Sequence, residues 1–183
     1  ALLDDNASLL AHSNKTPMVK LNVCGDLFNF NSERIFHHSL EKDHEGNYWV
    51  PDHSPNKIIV KLGSDKFLDD GIVKLSKSGE ILYSKSIIKI FLENNMDALI
   101  VGESLTDDPI HLNDIQPVLE DGPYWKRGDL FLSLRNQSMI MLFSPETNKV
   151  KWYQQGPWLQ QHDIDIINSH KIKIFSNNYT VAK

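Results

Sequence analysis

The chain has 183 residues, the size of one ordinary domain or a slice of a larger one. Hydrophobic residues make up 40% and charged residues 23%, which excludes global disorder, and no run of about 18 uncharged apolar residues is present to cross a membrane as a helix. Nineteen Lys and Arg against 24 Asp and Glu give a net charge of -5, which argues against nucleic acid as the partner. The single cysteine, Cys24, excludes an internal disulfide framework. With no histidine beside it in its segment, it is expected to be buried and inert. The chain opens at Ala1 without a signal-type segment, and that leaves its compartment open.

In chain order the sequence reads as short strands between turn signals. Val19–Val23, Asn47–Val50, Asp70–Ser76 and Glu80–Ser84 come first. The clearest helical pattern follows at Ser86–Met96, where Ile87, Ile88, Ile90, Phe91 and Leu92 cluster. Strands resume at Asp129–Leu134, Met139–Phe143, Val150–Tyr153 and Lys171–Phe175. The linkers Lys77-Ser78-Gly79 and Pro145-Glu146-Thr147-Asn148 are chemically suited to turns. Many short strands at this spacing predict an antiparallel, all-β architecture.

A repeat lies over the strands. Segments from Phe36, His111 and Gln161 share one plan, a histidine-led strand, a turn and a second strand. Asn113 and His162 stand 49 residues apart, close to the ~40–50 residues of a propeller blade. His38 and Asn113 stand 75 apart, and the helical stretch near 86–96 accounts for the excess as an insertion. The predicted fold is a β-propeller of four-stranded antiparallel blades. Residues 1–32 supply outer strands of one blade, 33–92 and 109–156 two further blades, and 160–183 the inner strands of another. About three blades do not close a ring, so the chain is expected to form an open arc, as part of a longer propeller or as half of one completed by another copy. Unpaired outer strands leave such an arc prone to association, with a homo-oligomer among the expected states.

Because the first two strands of a blade run antiparallel, the start of one and the end of the next share a rim. The starts carry His37 and His38, His111 with Asn113, and His162; the second-strand ends carry His53, Arg135 and Asn177. The first strand lines the central channel, so these residues are predicted to ring one mouth. Imidazole near neutrality serves as nucleophile, acid or base, and a guanidinium offers a planar fork for an oxyanion. Such a ring suits transfer or hydrolysis of an anionic group.

Other clusters have blander readings. His12, His44 and His170 fall in loop-like contexts and are expected in solvent, as are the pairs Asp4-Asp5, Asp69-Asp70 and Asp107-Asp108. Trp49, Trp125, Trp152 and Trp158 are read as packing aromatics. The run from His37 to His53 holds four histidines, but its spacing fits no zinc signature and alternation along a strand would split the ligands, so no metal is expected. No glycine-rich phosphate loop is present.

Four motifs in order carry a family resemblance: FHHSLEKDHEGNYWV from Phe36, HLNDI from His111, GDLFLSLRNQSMIMLFSPETNKVKWY from Gly128, and QQHDIDII through IKIFSNN. Together they resemble the bacterial arylsulfotransferases of the β-propeller type over roughly 36–178. Ser39 stands where that family commonly has an acid, and Phe175-Ser176-Asn177-Asn178 replaces a Phe-Asp-Asn ending. The resemblance implies a six-bladed propeller that moves a sulfuryl group from an aryl sulfate ester to a phenolic acceptor, through a sulfohistidine and without a nucleotide donor or other cofactor. It makes His162 the nucleophile, His111 a charge-stabilising or proton-transferring partner, and Arg135 the clamp on the sulfuryl oxygens. His38 takes the remaining histidine role, with His37 in its place should the register slip by one. Asn113, His37, His53 and Asn177 are the expected substrate-binding residues. The resemblance places such an enzyme in the periplasm or cell envelope. The rival reading is a non-catalytic propeller binding an anionic ligand or a protein, and a weaker one is a metal-dependent hydrolase built on the His37–His53 run.

Overall fold

A computed structural model describes residues 1–4, 6–54, 68–101 and 107–178. Its sheets are antiparallel, with two short helices, and among the described residues they do not close into a barrel or ring. The first sheet is a meander of β1 (Leu2–Leu3), β2 (Leu9–Ala11), β3 (Thr16–Leu21) and β4 (Leu27–Phe36). It continues through one residue pair, Phe36 opposite Asp52, into β6 (Tyr48–His53), β7 (Asp70–Leu75) and β8 (Ile81–Ser86), with the two-residue β5 (Glu41–Lys42) on the free side of β6. The next sheet has the order β12 (Lys149–Gln155), β11 (Met139–Ser144), β10 (Leu130–Leu134), β9 (Leu112–Pro117). A final hairpin pairs β13 (Gln161–Asn168) with β14 (Lys171–Ser176).

Strand periodicity shows why these sheets stack as blades. Successive side chains of a strand face opposite sides. In β10, Leu130, Leu132 and Leu134 enter one core while Phe131 enters another; in β11, Met139, Met141 and Phe143 part from Ile140 and Leu142 in the same way. In β6, Trp49 faces that first core and Tyr48 and Val50 face a third. One apolar layer therefore fills each space between neighbouring sheets, and a sheet buried on both faces reads as a nearly continuous apolar run such as MIMLF.

Ser86–Met96 forms α1 (Ile87–Glu93), capped by the Ser86 hydroxyl, which accepts the Lys89 N–H at 3.1 Å. Ile87, Ile88, Ile90 and Phe91 are buried in the layer between β6–β8 and β9–β12, and α2 (Asp97–Val101) follows. The first segment departs from expectation by carrying two short inner strands, β1 and β2, beside the pair read from sequence. Cys24 is exposed, not buried. The strand ends at Leu21, and Cys24 sits in a turn where the Asn22 side-chain oxygen accepts the Cys24 and Asp26 N–H groups.

Three other expectations of solvent exposure or packing are corrected. Asp4 pairs with Lys20 and accepts from the Tyr48 hydroxyl, and Asp69 and Asp70 are buried at the head of β7. His44 and His170 are exposed, but His12 is partly covered and packs on Phe36. Trp49 and Trp125 are packed as expected, whereas Trp152 is 41% exposed on the outermost strand of its sheet.

Candidate active site

Three strands are each entered through a left-handed residue. His38 has φ 56°, His111 φ 51° and Gln160 φ 50°, a conformation uncommon for side chains other than glycine. The kinks fall ahead of β5, β9 and β13. His37 and His38 therefore lie in the bend between β4 and β5, and His111 one residue before β9, where histidine-led strands were expected. His162 is the second residue of β13.

Hydrogen bonds between sheets fix these entrances. The Leu112 N–H donates to Asp70 Oδ2 at 2.6 Å, and the Ile164 N–H to Asp114 Oδ2 at 3.0 Å. The Ile115 N–H donates to Ser39 Oγ at 3.1 Å. Gln161 is fully buried. Its side-chain amide donates to the Leu134 and Met139 carbonyls at 3.1 and 2.9 Å, and its own carbonyl accepts from Asn113 Nδ2 at 2.9 Å. Ser39, where an acid was expected by likeness, serves as an inter-sheet acceptor.

The structure brings His38, His111 and His162 together. The His38 ring lies edge-on to His111 at 4.9 Å between centroids and tilted toward His162 at 6.4 Å. Arg135 follows β10, and its two terminal nitrogens donate to Asn136 Oδ1 and Gln160 Oε1, both at 3.0 Å. It is thereby aimed at the entrance of β13. Burial lowers the His162 pKa first, and the Arg135 and His111 charges lower it further, against a small opposing effect of Asp163. His38 is lowered to about 4, by burial and then by the like charges of His37 and His111. Both imidazoles are neutral at pH 7. His111 sits against the Asp108 carboxylate, whose two oxygens face its backbone N–H at 3.1 Å and its Nδ1 at 2.5 Å. A carboxylate oxygen this close to a ring nitrogen accepts, so His111 Nδ1 carries a proton.

Behind His38 lies a second group. His37 is 3% exposed. Its Nδ1 meets His38 Nδ1 at 2.7 Å, its ring stacks on His53 at 4.4 Å, and its Nε2 lies 3.4 Å from Asp70 Oδ1. His53 Nδ1 meets the same oxygen at 3.1 Å. Burial pushes the Asp70 carboxyl up, but the two facing imidazoles and the Leu112 N–H outweigh it and hold the group ionised, well below the usual carboxylate range. One donor atom from each of His37, His53 and Asp70 falls within 4.8 Å of the others, a spacing that would admit a cation. The expected splitting of these histidines does not occur, because His37 sits in a bend and not in the strand that carries His53.

Of the other expected substrate contacts, Asn113 is buried and its amide is engaged by Gln161, so it braces β13. Asn177 is exposed beyond β14, and among the described residues no contact ties it to the histidines. Asp70 and Asp108 were both missed in the sequence, where paired acids looked like turns. Gly71 after Asp70 and an apolar run beyond it, in register with the end of YWVPDH, were the signals available.

Three imidazoles and a guanidinium at one mouth can attack, protonate and clamp an anionic group. A search of curated proteins returns no match. The family described as arylsulfotransferase (ASST) matches residues 9–183, nearly the whole chain and every strand from β2 to β14, and on that match the chain belongs to the arylsulfotransferase family.

Proposed function

We propose that the chain carries the catalytic mouth of an aryl-sulfate sulfotransferase working by double displacement without a nucleotide sulfate donor. The observation that carries the reading is the convergence of His38, His111 and His162 from three sheets, with Arg135 held over the entrance of the last. His162 Nε2 or Nδ1 attacks the sulfur of an aryl sulfate as the S–O bond breaks, and the aryl oxygen departs with the bond's electron pair as a phenolate. A phenolic acceptor then attacks the sulfohistidine, the N–S bond breaks, and the electron pair returns to the imidazole. Covalent catalysis divides one hard displacement into two. His162 is suited to the nucleophile because burial and Arg135 keep it neutral. Arg135 and the His111 ring face charge that shifts onto the equatorial oxygens. His38, neutral and beside both rings, takes the acceptor's proton.

Incubation of the protein with p-nitrophenyl sulfate, with and without phenol, separates the readings. Acceptor-dependent nitrophenolate release supports transfer, release without acceptor indicates hydrolysis, and no release favours a binding module. Intact-mass measurement with donor alone should show a gain of one sulfuryl group that disappears in His162→Asn. A gain that survives the substitution moves the nucleophile to His111 or His38.

A further inference from the structure

We propose that Asp70 and His37 are positioning residues that form a fixed relay behind His38, holding its proton on Nδ1 and leaving its Nε2 as a bare lone pair. This rests on the transfer reading above and deepens it, by assigning how the proton acceptor of the mouth is kept in its working tautomer. Four observations carry it. Asp70 is buried and ionised, with Oδ2 committed to the Leu112 N–H and Oδ1 facing His37 and His53. His37 is almost completely buried, and its Nε2 has that carboxylate oxygen 3.4 Å away as its facing charge, with no well-aligned hydrogen bond among the described residues. A lone pair on Nε2 facing a carboxylate in a dry site would be repulsive, so Nε2 carries the proton. The fourth observation is the 2.7 Å between His37 Nδ1 and His38 Nδ1.

Two imidazole nitrogens at that distance share one proton. In neutral His37 the proton is on Nε2, so Nδ1 is the acceptor and the shared proton belongs to His38. The bare nitrogen of His38 is then Nε2, on the far side of its ring from His37. When the phenol attacks sulfur, its O–H bond breaks and the proton goes to His38 Nε2. His38 becomes an imidazolium whose Nδ1–H still donates to His37, and no second proton moves. In the reverse half-reaction the departing aryl oxygen takes the proton back. The backing group is a carboxylate acting through one imidazole on another, and it orients the base without touching substrate.

Asp70→Asn inverts the chain of donors. The amide oxygen can keep the Leu112 N–H, which leaves NH₂ facing His37. His37 Nε2 becomes an acceptor, its Nδ1 a donor, and the His38 proton is displaced to Nε2. Long-range ¹⁵N–¹H correlation on the labelled protein at pH 7 should show the Nδ1–H tautomer of His38 in the parent and the Nε2–H tautomer in Asp70→Asn. The kcat for acceptor-dependent transfer should fall by about 10²–10⁴-fold, the range of one general base, with KM for the aryl sulfate changed by less than about threefold. His37→Gln, which breaks the relay at its middle, should lose kcat to a similar extent. An Nε2–H tautomer in the parent, which an imidazolium His37 would impose, overturns the proposal, as does an unchanged tautomer in Asp70→Asn. Loss of transfer on chelation, with recovery on adding zinc alone, would overturn it in favour of a metal held by the same residues. The tautomer measurement stands even where no transfer is found, so failure of the relay and failure of the transfer reading give different results.

Discussion

Gln161→Ala tests how the mouth is held. The Gln161 side chain has no exposed surface, and its amide donates to two carbonyls, Leu134 and Met139, which flank the turn of the β10–β11 hairpin. Truncation leaves both carbonyls short of a donor inside the protein, at about 1 kcal/mol each, and opens a cavity. The total comes to about 2–4 kcal/mol. For a domain of this size 1 kcal/mol moves Tm by roughly 2–4 °C, so unfolding should come roughly 4–16 °C earlier. Urea unfolding followed by tryptophan fluorescence should show a lower midpoint at unchanged slope. Gln161→Met keeps most of the volume and isolates the hydrogen bonds, at about 1–3 kcal/mol. His162 is the next residue, so sulfohistidine labelling should slow in both variants. A Gln161→Met protein within about 0.5 kcal/mol of the parent, the range of an indifferent surface change, would refute the view that this amide joins the two sheets.

Arg135→Lys should leave the fold intact but lose the fork to Asn136 and Gln160; the barrier for sulfuryl transfer should rise by about 2–4 kcal/mol, read as a loss of kcat/KM. Asp114 has its pKa raised to about 7, by burial first. The folded state therefore binds a proton that the unfolded state releases near its ordinary value of 3.8, and this contribution is full below pH 3.8 and lost as pH rises through about 7. Asp114→Asn removes that dependence, so the variant should gain stability relative to the parent on going from pH 5 to pH 8, measured by urea midpoints in both buffers.

Much of the architecture was legible because the chain states it twice, once in strand-length apolar runs and once in the 49-residue interval between Asn113 and His162. The sheets are covered on both faces, so β10 and β11 read as unbroken apolar stretches, which a short period-2 pattern cannot easily disguise. The helix near 86–96 was visible through its cluster of isoleucines, and Ser86 caps it as a serine at such a boundary should. The mouth was legible in part. His38, His111 and His162 repeat at comparable places in three units, but they are not equivalent in the backbone. His38 and His111 occupy the kink itself, where the third unit has Gln160, and His162 lies two residues further on, level with Asn113. A residue at a left-handed kink looks in sequence like any residue at a strand start. The acids were illegible for a different reason: Asp69-Asp70-Gly71 has the composition of a turn, and only the cross-sheet bond to Leu112 and the approach of His37 turn it into a buried carboxylate. Such partners come from elsewhere in the chain, and spacing carries no trace of them.

Crowding three imidazoles has a consequence for pH that follows from charge alone. The His38 pKa stands at about 4 because burial opposes its cation first, and because His37, His111 and His162 add like charge against the single favourable carboxylate of Asp70. The neighbouring rings thus help to keep His38 unprotonated, which is what a base needs near neutrality. His111→Asn removes one of the repelling groups, so His38 should become easier to protonate and its pKa should rise. The rise should be partial, since burial is the largest cause and remains. At pH 7 the ring is neutral in both proteins, so the difference belongs to acid conditions. The acid limb of the transfer rate should move to higher pH in the variant. Titration of the His38 ring carbon by NMR reads the shift directly. A His38 pKa that falls or stays fixed in His111→Asn would mean that His111 does not oppose a proton on His38 across the mouth, and the argument that crowding keeps His38 neutral would be lost.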